Sequence, residues 1–204
     1  MNLHRTSGRP DWADIAPADR NVFQKMAASS GGMLSPANII SFIGLGLVIY
    51  GLIMVIQGQY WWGLGLLAIG RLLDIVDGLV AEATHTKSPL GEMVDASIDK
   101  IGTVLTIVAL FTISPADWWV FVALLVPQLL ILAVVFYKRR QGVTVHPTRP
   151  GKLSMLLIWV ALAGLLFAQA LGYMMALVTI VYAVAVVSLV LSMYALWQYT
   201  TGRD

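Results

Sequence analysis

The sequence has no cysteine, three histidines and few charges. Without cysteine there is neither a disulfide framework nor a thiolate metal site, and the redox compartment is not legible. Charged residues make up 12% of the chain against 58% hydrophobic ones, and the mean hydropathy is +0.79. That is too apolar and too charge-poor for a soluble globule, so the chain reads as an integral membrane protein. A formal charge of +2 offers no basic surface for nucleic acid. Residues 1–33 contain no apolar run resembling a signal peptide, and no processing is expected. They are polar, with Arg5, Arg9, Arg20 and Lys25 among acids. Within them Ala18–Ala28 sets Val22, Phe23 and Met26 at helical spacing, which suits a short amphipathic helix on the membrane surface. A solvated leader is the competing reading.

Beyond residue 33 the chain is a series of apolar segments. Ser35-Pro36 supplies an N-cap and a first-turn proline, and Ala37–Ile56 is long enough to span. Trp61–Ala83 forms a second span whose last third carries Arg71, Asp74 and Asp77. The purely apolar part of the third, Ile101–Ile113, is too short to cross about 30 Å of hydrocarbon at about 1.5 Å per residue. That helix must therefore begin near Gly91, which brings Asp95 and Asp99 to the membrane or its headgroup boundary. Spans at Trp118–Tyr137, Leu153–Leu171 and Tyr173–Trp197 bring the expected number to six. The expected fold is an all-α membrane protein, six transmembrane helices preceded by a short amphipathic juxtamembrane helix. A single membrane domain over 34–204 succeeds the N-terminal segment 1–33.

Basic residues orient such a chain. The turns at Gln57–Tyr60, Ser114–Asp117 and near Gly172 contain no Lys or Arg, and all 13 basic residues fall in the termini, in the other two loops or on adjoining helix ends. Both termini and the aspartates are thus expected on the cytoplasmic side. Trp61, Trp62, Trp118 and Trp119 suit an aromatic belt at the opposite interface.

Asp74 and Asp77, and likewise Asp95 and Asp99, are spaced to share one helix face, with the small residues Gly78, Ala81 and Gly91 nearby. An ionised Asp costs on the order of 3 kcal/mol at the centre of a membrane helix, and converging carboxylates repel one another. Something must offset this. Oxygen-only donors favour a hard cation such as Mg²⁺ or Mn²⁺, and Mg²⁺ commonly completes its shell with phosphate oxygens. Salt-bridged helix ends, with Arg71 before Asp74 and Lys100 beside Asp99, are the bland alternative, but two bases do not neutralise four acids.

Asp74, Asp77, Gly78, Ala81, Gly91, Asp95 and Asp99 resemble the signature of the CDP-alcohol phosphotransferase family, D-x2-D-G-x2-A-R-x8-G-x3-D-x3-D, with every interval kept. Glu82 stands where the family has arginine, leaving that role to Arg71 or Lys87. Leu34–Ser41, LSPANIIS, is similar to the family's P-N-x-[LI]-[ST] motif at the first helix, with Ala37 inserted. Gly151-Lys152-Leu153-Ser154 is similar to the G-K-x-x-T start of the fifth helix, with Ser154 one position early.

The resemblance implies a membrane enzyme of phospholipid synthesis that moves a phosphatidyl group from CDP-diacylglycerol to a small alcohol and releases CMP. It implies that Asp74, Asp77 and Asp95 hold the divalent metal, with Asp99 a further ligand or general base, so that Asp95 and Asp99 are the catalytic candidates. Asp74, Asp77, Gly78, Ala81, Lys87 and Gly91 would receive the CDP moiety. A homodimer is implied as well. For the acceptor, Lys138, Arg139, Arg149 and Lys152 are candidate anion ligands, although positive-inside bias would also place bases there, and His146 reads as a solvated loop residue. Inositol-phosphate-using members of the family carry arginine in the last helix, whereas here it has no basic residue before Arg203, so the resemblance ranks glycerol 3-phosphate above inositol phosphate as acceptor. A divalent cation transporter and an inactive scaffold are the rival readings. The first lacks acids distributed along a pathway, and Glu82 alone favours the second.

Overall fold

The computed structural model describes residues 9–141 and 148–201, apart from the side chains of Ala96 and Arg139. Arg5, His146 and Arg203 lie outside the described residues, as does the side chain of Arg139. Among the described residues the chain is helical and has no strand. Its helices are α1 (Val22–Ser29), α2 (Pro36–Ile56), α3 (Tyr60–Ala83), α4 (Pro89–Ile113), α5 (Trp118–Arg140), α6 (Arg149–Ala170) and α7 (Met175–Thr201), with a 3-10 turn at Pro115–Asp117. Five of them, α2, α4, α5 with its preceding turn, α6 and α7, are long and apolar enough to cross a membrane. Helix α3 matches them in length at 24 residues but carries Arg71, Asp74, Asp77 and Glu82, and is not among the five.

The helix starts are set by side-chain caps. Asn21 and Gln24 form a reciprocal capping box, the Asn21 side chain accepting from Gln24 N at 2.8 Å and the Gln24 side chain from Asn21 N at 3.1 Å. Helix α1 therefore begins at Val22 rather than at Ala18. Ser35 Oγ accepts from Asn38 N at 3.2 Å, and Pro36 takes the first position of α2. Ser88 Oγ accepts from Gly91 N at 2.9 Å, which starts α4 at Pro89, two residues before the expected point. Thr148 Oγ1 accepts from Gly151 N at 3.3 Å and draws Arg149 and Lys152 into the first turn of α6, four residues ahead of Leu153. Tyr173 and Gly172 both adopt positive φ, 61° and 75°, so α7 starts at Met175 and not at Tyr173.

The chain divides into two compact units. The first takes in the described residues up to Met54 and Gly65–Thr103. In it α2 and α3 approach through glycines: a Cβ on Gly44 would lie 3.1 Å from the Gly70 carbonyl oxygen, and one on Gly70 would lie 2.9 Å from that of Gly44 and 2.8 Å from Val48 Cγ2. Small residues at such a crossing let backbones come close where apolar burial gives no drive between membrane helices. Gly46 and Gly65, on the same two helices, face open space.

The second unit takes in Val55–Leu64 and the described residues from Val104 onward. Ile158, Leu162, Leu165 and Leu166 of α6 are buried, as are Val178, Val181 and Ala185 of α7. Ser188 Oγ donates to the Ser154 carbonyl at 3.0 Å, and a Cβ on Gly164 would fall 2.6 Å from Val181 Cγ2. Asp117, fully buried, accepts from Ser114 Oγ at 2.5 Å, from Tyr173 OH at 2.7 Å and from Tyr182 OH. That carboxylate ties the start of α5 to the α6–α7 turn and to α7. The four belt tryptophans are exposed, and Trp119 meets Tyr182 edge-on at 4.8 Å.

Candidate functional site

The sequence-predicted acids converge in the first unit. Asp74 and Asp77 stand one turn apart on α3, and Asp95 and Asp99 one turn apart on α4. Asp74, Asp77 and Asp95 each present a carboxylate oxygen, and the three oxygens lie within 4.8 Å of one another. Carboxylate oxygens this close together could hold one divalent ion among them. An all-oxygen, acid-rich donor set of this kind fits a hard divalent cation.

The fourth aspartate is differently engaged. Asp99 pairs with Arg71, whose guanidinium also meets Asp74 at 3.2 Å one turn along α3. The ion-pair alternative is thus realised at Asp99 and in part at Asp74, and leaves Asp77 and Asp95 for other partners. Asp77 is the most buried of the four and accepts from Ser41 Oγ on α2. Ser41 Oγ also lies 3.1 Å from the Ala37 carbonyl, so one hydroxyl proton is shared between a helix back-bond and the carboxylate. In the sequence Ser41 marks only the end of LSPANIIS. Its partner is 36 residues away, and local spacing does not reveal it.

Beside Asp77 and Asp95 opens a cleft whose walls come from α2, α3, the α3–α4 loop and the start of α4. Gly78, Ala81, Lys87 and Gly91 all line it. Gly78 faces open space, so a bound group can approach the α3 backbone there. Gly91 serves packing instead: a Cβ on it would lie 3.1 Å from Ser88 Oγ and 3.5 Å from Asn38 Oδ1. Asn38 itself donates to the carbonyls of Gly32 at 3.1 Å and Met33 at 3.0 Å, locking the approach to α2. Lys87 Nζ meets Glu82 at 3.2 Å. Both cations considered as substitutes for the missing arginine, Arg71 and Lys87, are therefore already held by acids.

The basic residues expected to serve an acceptor belong to the second unit. Lys138 lies near the end of α5, while Arg149 and Lys152 are exposed in the first turn of α6. That turn is braced by the Thr148 N–H, which donates to Tyr199 OH of α7 at 3.0 Å. Arg140 lies over the Phe136 ring at 4.5 Å.

Among curated proteins, an uncharacterized CDP-alcohol phosphatidyltransferase class-I family protein of Schizosaccharomyces pombe is 33% identical over 79 residues. The aligned stretch is 32% of this chain and 20% of the relative, so this chain spans about a fifth of that protein's length. No solved structure matches. The family model described as CDP-alcohol phosphatidyltransferase matches residues 34–194, from the LSPANIIS stretch through both aspartate pairs and into α7, and the chain belongs to that family.

Proposed function

We propose that this protein is a metal-dependent phosphotransferase of phospholipid synthesis, which transfers the phosphatidyl group of CDP-diacylglycerol to glycerol 3-phosphate and releases CMP. The observation that carries this reading is the three-carboxylate cluster Asp74, Asp77 and Asp95 bordering a cleft lined by Gly78, Ala81 and Lys87. Bound Mg²⁺ or Mn²⁺ would neutralise the diphosphate and the charge that grows on departing CMP. The protein's own residues do the rest. Ser41 orients Asp77, Gly78 and Ala81 leave room for the nucleotide against α3, and Lys87 adds a cation at the cleft wall. Asp99, aimed by Arg71, takes the proton of the acceptor hydroxyl as its oxygen bonds to phosphorus and the bond to CMP breaks. From the sequence alone, Lys138, Arg139, Arg149 and Lys152 are proposed as ligands of the acceptor's phosphate.

Helix α3 is proposed as the sixth crossing, with α1 on the membrane surface and both termini and the aspartates in the cytoplasm. Hydrogen bonds between Asp11 and Lys87 support the α3 crossing. The two residues share one side of the membrane, α2 leaves that side, and only α3 remains to bring the chain back. A homodimer is proposed from the family alone. The test is CMP release by purified protein with Mg²⁺, CDP-diacylglycerol and a panel of acceptors. CMP dependent on glycerol 3-phosphate is the expected result, dependence on inositol phosphate would move the acceptor assignment, and silence across the panel would overturn the reading.

A further inference from the structure

Among the described residues before α1, Asp11 and Trp12 are tied into the fold. Asp11 N donates to the Lys87 carbonyl at 2.9 Å, and Lys87 N donates back to Asp11 Oδ2 at 3.2 Å. Trp12, the next residue, is buried to 5% exposure. Its ring lies against Gly32, where φ is +100° and a Cβ would sit 3.2 Å from Trp12 Cη2 and 3.0 Å from Ser88 Cβ. Ser88 in turn caps α4, the helix that carries Asp95 and Asp99. Pieces of chain far apart in sequence thus close on one short loop.

The loop is held first by the end of α3. His85 adopts φ of 52° as the left-handed residue that closes α3: its N–H donates to the Glu82 carbonyl at 3.2 Å and the Thr86 N–H to the Ala81 carbonyl at 3.0 Å. Thr86, Lys87 and Ser88 line the cleft, so where the loop sits decides where its cation and its hydroxyls are presented. Glu82 grips the Lys87 ammonium from α3, and Asp11 grips the Lys87 backbone from the opposite end of the residue.

We infer that Asp11 and Trp12 form a bracket that positions Lys87 and its loop for the nucleotide diphosphate, making the N-terminal segment part of the donor site. Neither residue lines the cleft, so both are positioning residues. The inference rests on the nucleotide reading of the cleft, and the test separates the two. The probe is CDP with Mg²⁺, titrated calorimetrically into full-length protein in detergent, alongside CMP-release kinetics. Loss of one hydrogen bond to a binding loop predicts that Asp11→Ala weakens CDP roughly fivefold and raises donor KM equally. Its kcat and acceptor KM stay near those of the parent. Asp11→Asn, whose amide oxygen still accepts from Lys87 N–H, restores affinity.

Parent protein that fails to bind CDP would overturn the nucleotide reading itself. Parent protein that binds CDP, with an alanine variant that binds it equally or loses kcat at constant donor KM, would overturn the bracket alone. Should the alanine variant not fold, hydrogen exchange on the parent decides: CDP with Mg²⁺ is expected to slow exchange at the amides of Asp11 and Lys87, and unchanged exchange there overturns the bracket.

Discussion

Asp95 is the member of the carboxylate cluster contributed by α4, and nothing in α3 replaces it. Asp95→Asn keeps the shape and removes a charge, so turnover is expected to fall by about 10²-fold or more. Because the mutation also removes repulsion among neighbouring acids, the melting temperature of the metal-free protein should hold or rise. Unchanged turnover would remove Asp95 from the reaction. Glu82→Arg releases Lys87 from its partner and adds a second cation at the rim of the cleft. CDP is expected to bind more tightly, and calorimetry showing equal or weaker affinity would count against Lys87 as a phosphate ligand. The spacings of the four aspartates were legible because they are local and helical. The Arg71–Asp99 pair, 28 residues apart, and the Ser41–Asp77 bond were not, since both depend on how helices pack.

At the scale of helices, the α2–α3 crossing and the start of α5 make separate predictions. Gly70→Ala places a methyl group against the Gly44 carbonyl, which cannot swing aside as a side chain can. A loss of about 1–3 kcal/mol is expected, read as a lowered melting temperature. Gly65→Ala meets open space on the same helix and should be neutral or gain up to about 1 kcal/mol from helix propensity. Equal effects at both positions would refute the close crossing. Asp117→Ala leaves Ser114, Tyr173 and Tyr182 without their shared acceptor. A cost of about 1–3 kcal/mol is expected, with Tyr182→Phe costing less. Helix existence was readable from apolar length, yet the starts of α1, α4 and α6 were displaced by two to four residues. In each case a polar side chain a few residues away, Asn21, Ser88 or Thr148, fixes the first turn, and composition does not register which hydroxyl or amide closes the cap.

For the whole molecule, the lack of native cysteine makes topology directly measurable. Single cysteines at Gln59 and at Lys87 are expected to react with impermeant maleimide from opposite sides of sealed vesicles if α3 crosses. Labelling from one side would return α3 to the membrane surface. The apolar composition announced a membrane protein, but among the described residues length and composition qualify five helices, because Arg71, Asp74, Asp77 and Glu82 lower the apolarity of α3. The acids were legible from the same residues that keep α3 out of the five.

The Asp11–Lys87 contact joins residues 76 positions apart. A chain made from its N-terminus at about 5–20 residues per second exposes Asp11 roughly 4–15 s before Lys87 exists to receive it. Through that interval Trp12 has no burial site, since Ser88 is likewise unmade. The acids and arginines around it, Arg9, Asp11, Asp14, Asp19 and Arg20, keep the waiting segment hydrated. The bracket therefore closes late during synthesis, after α2 and α3 have been made, and its closure marks the moment at which this end of the protein is complete.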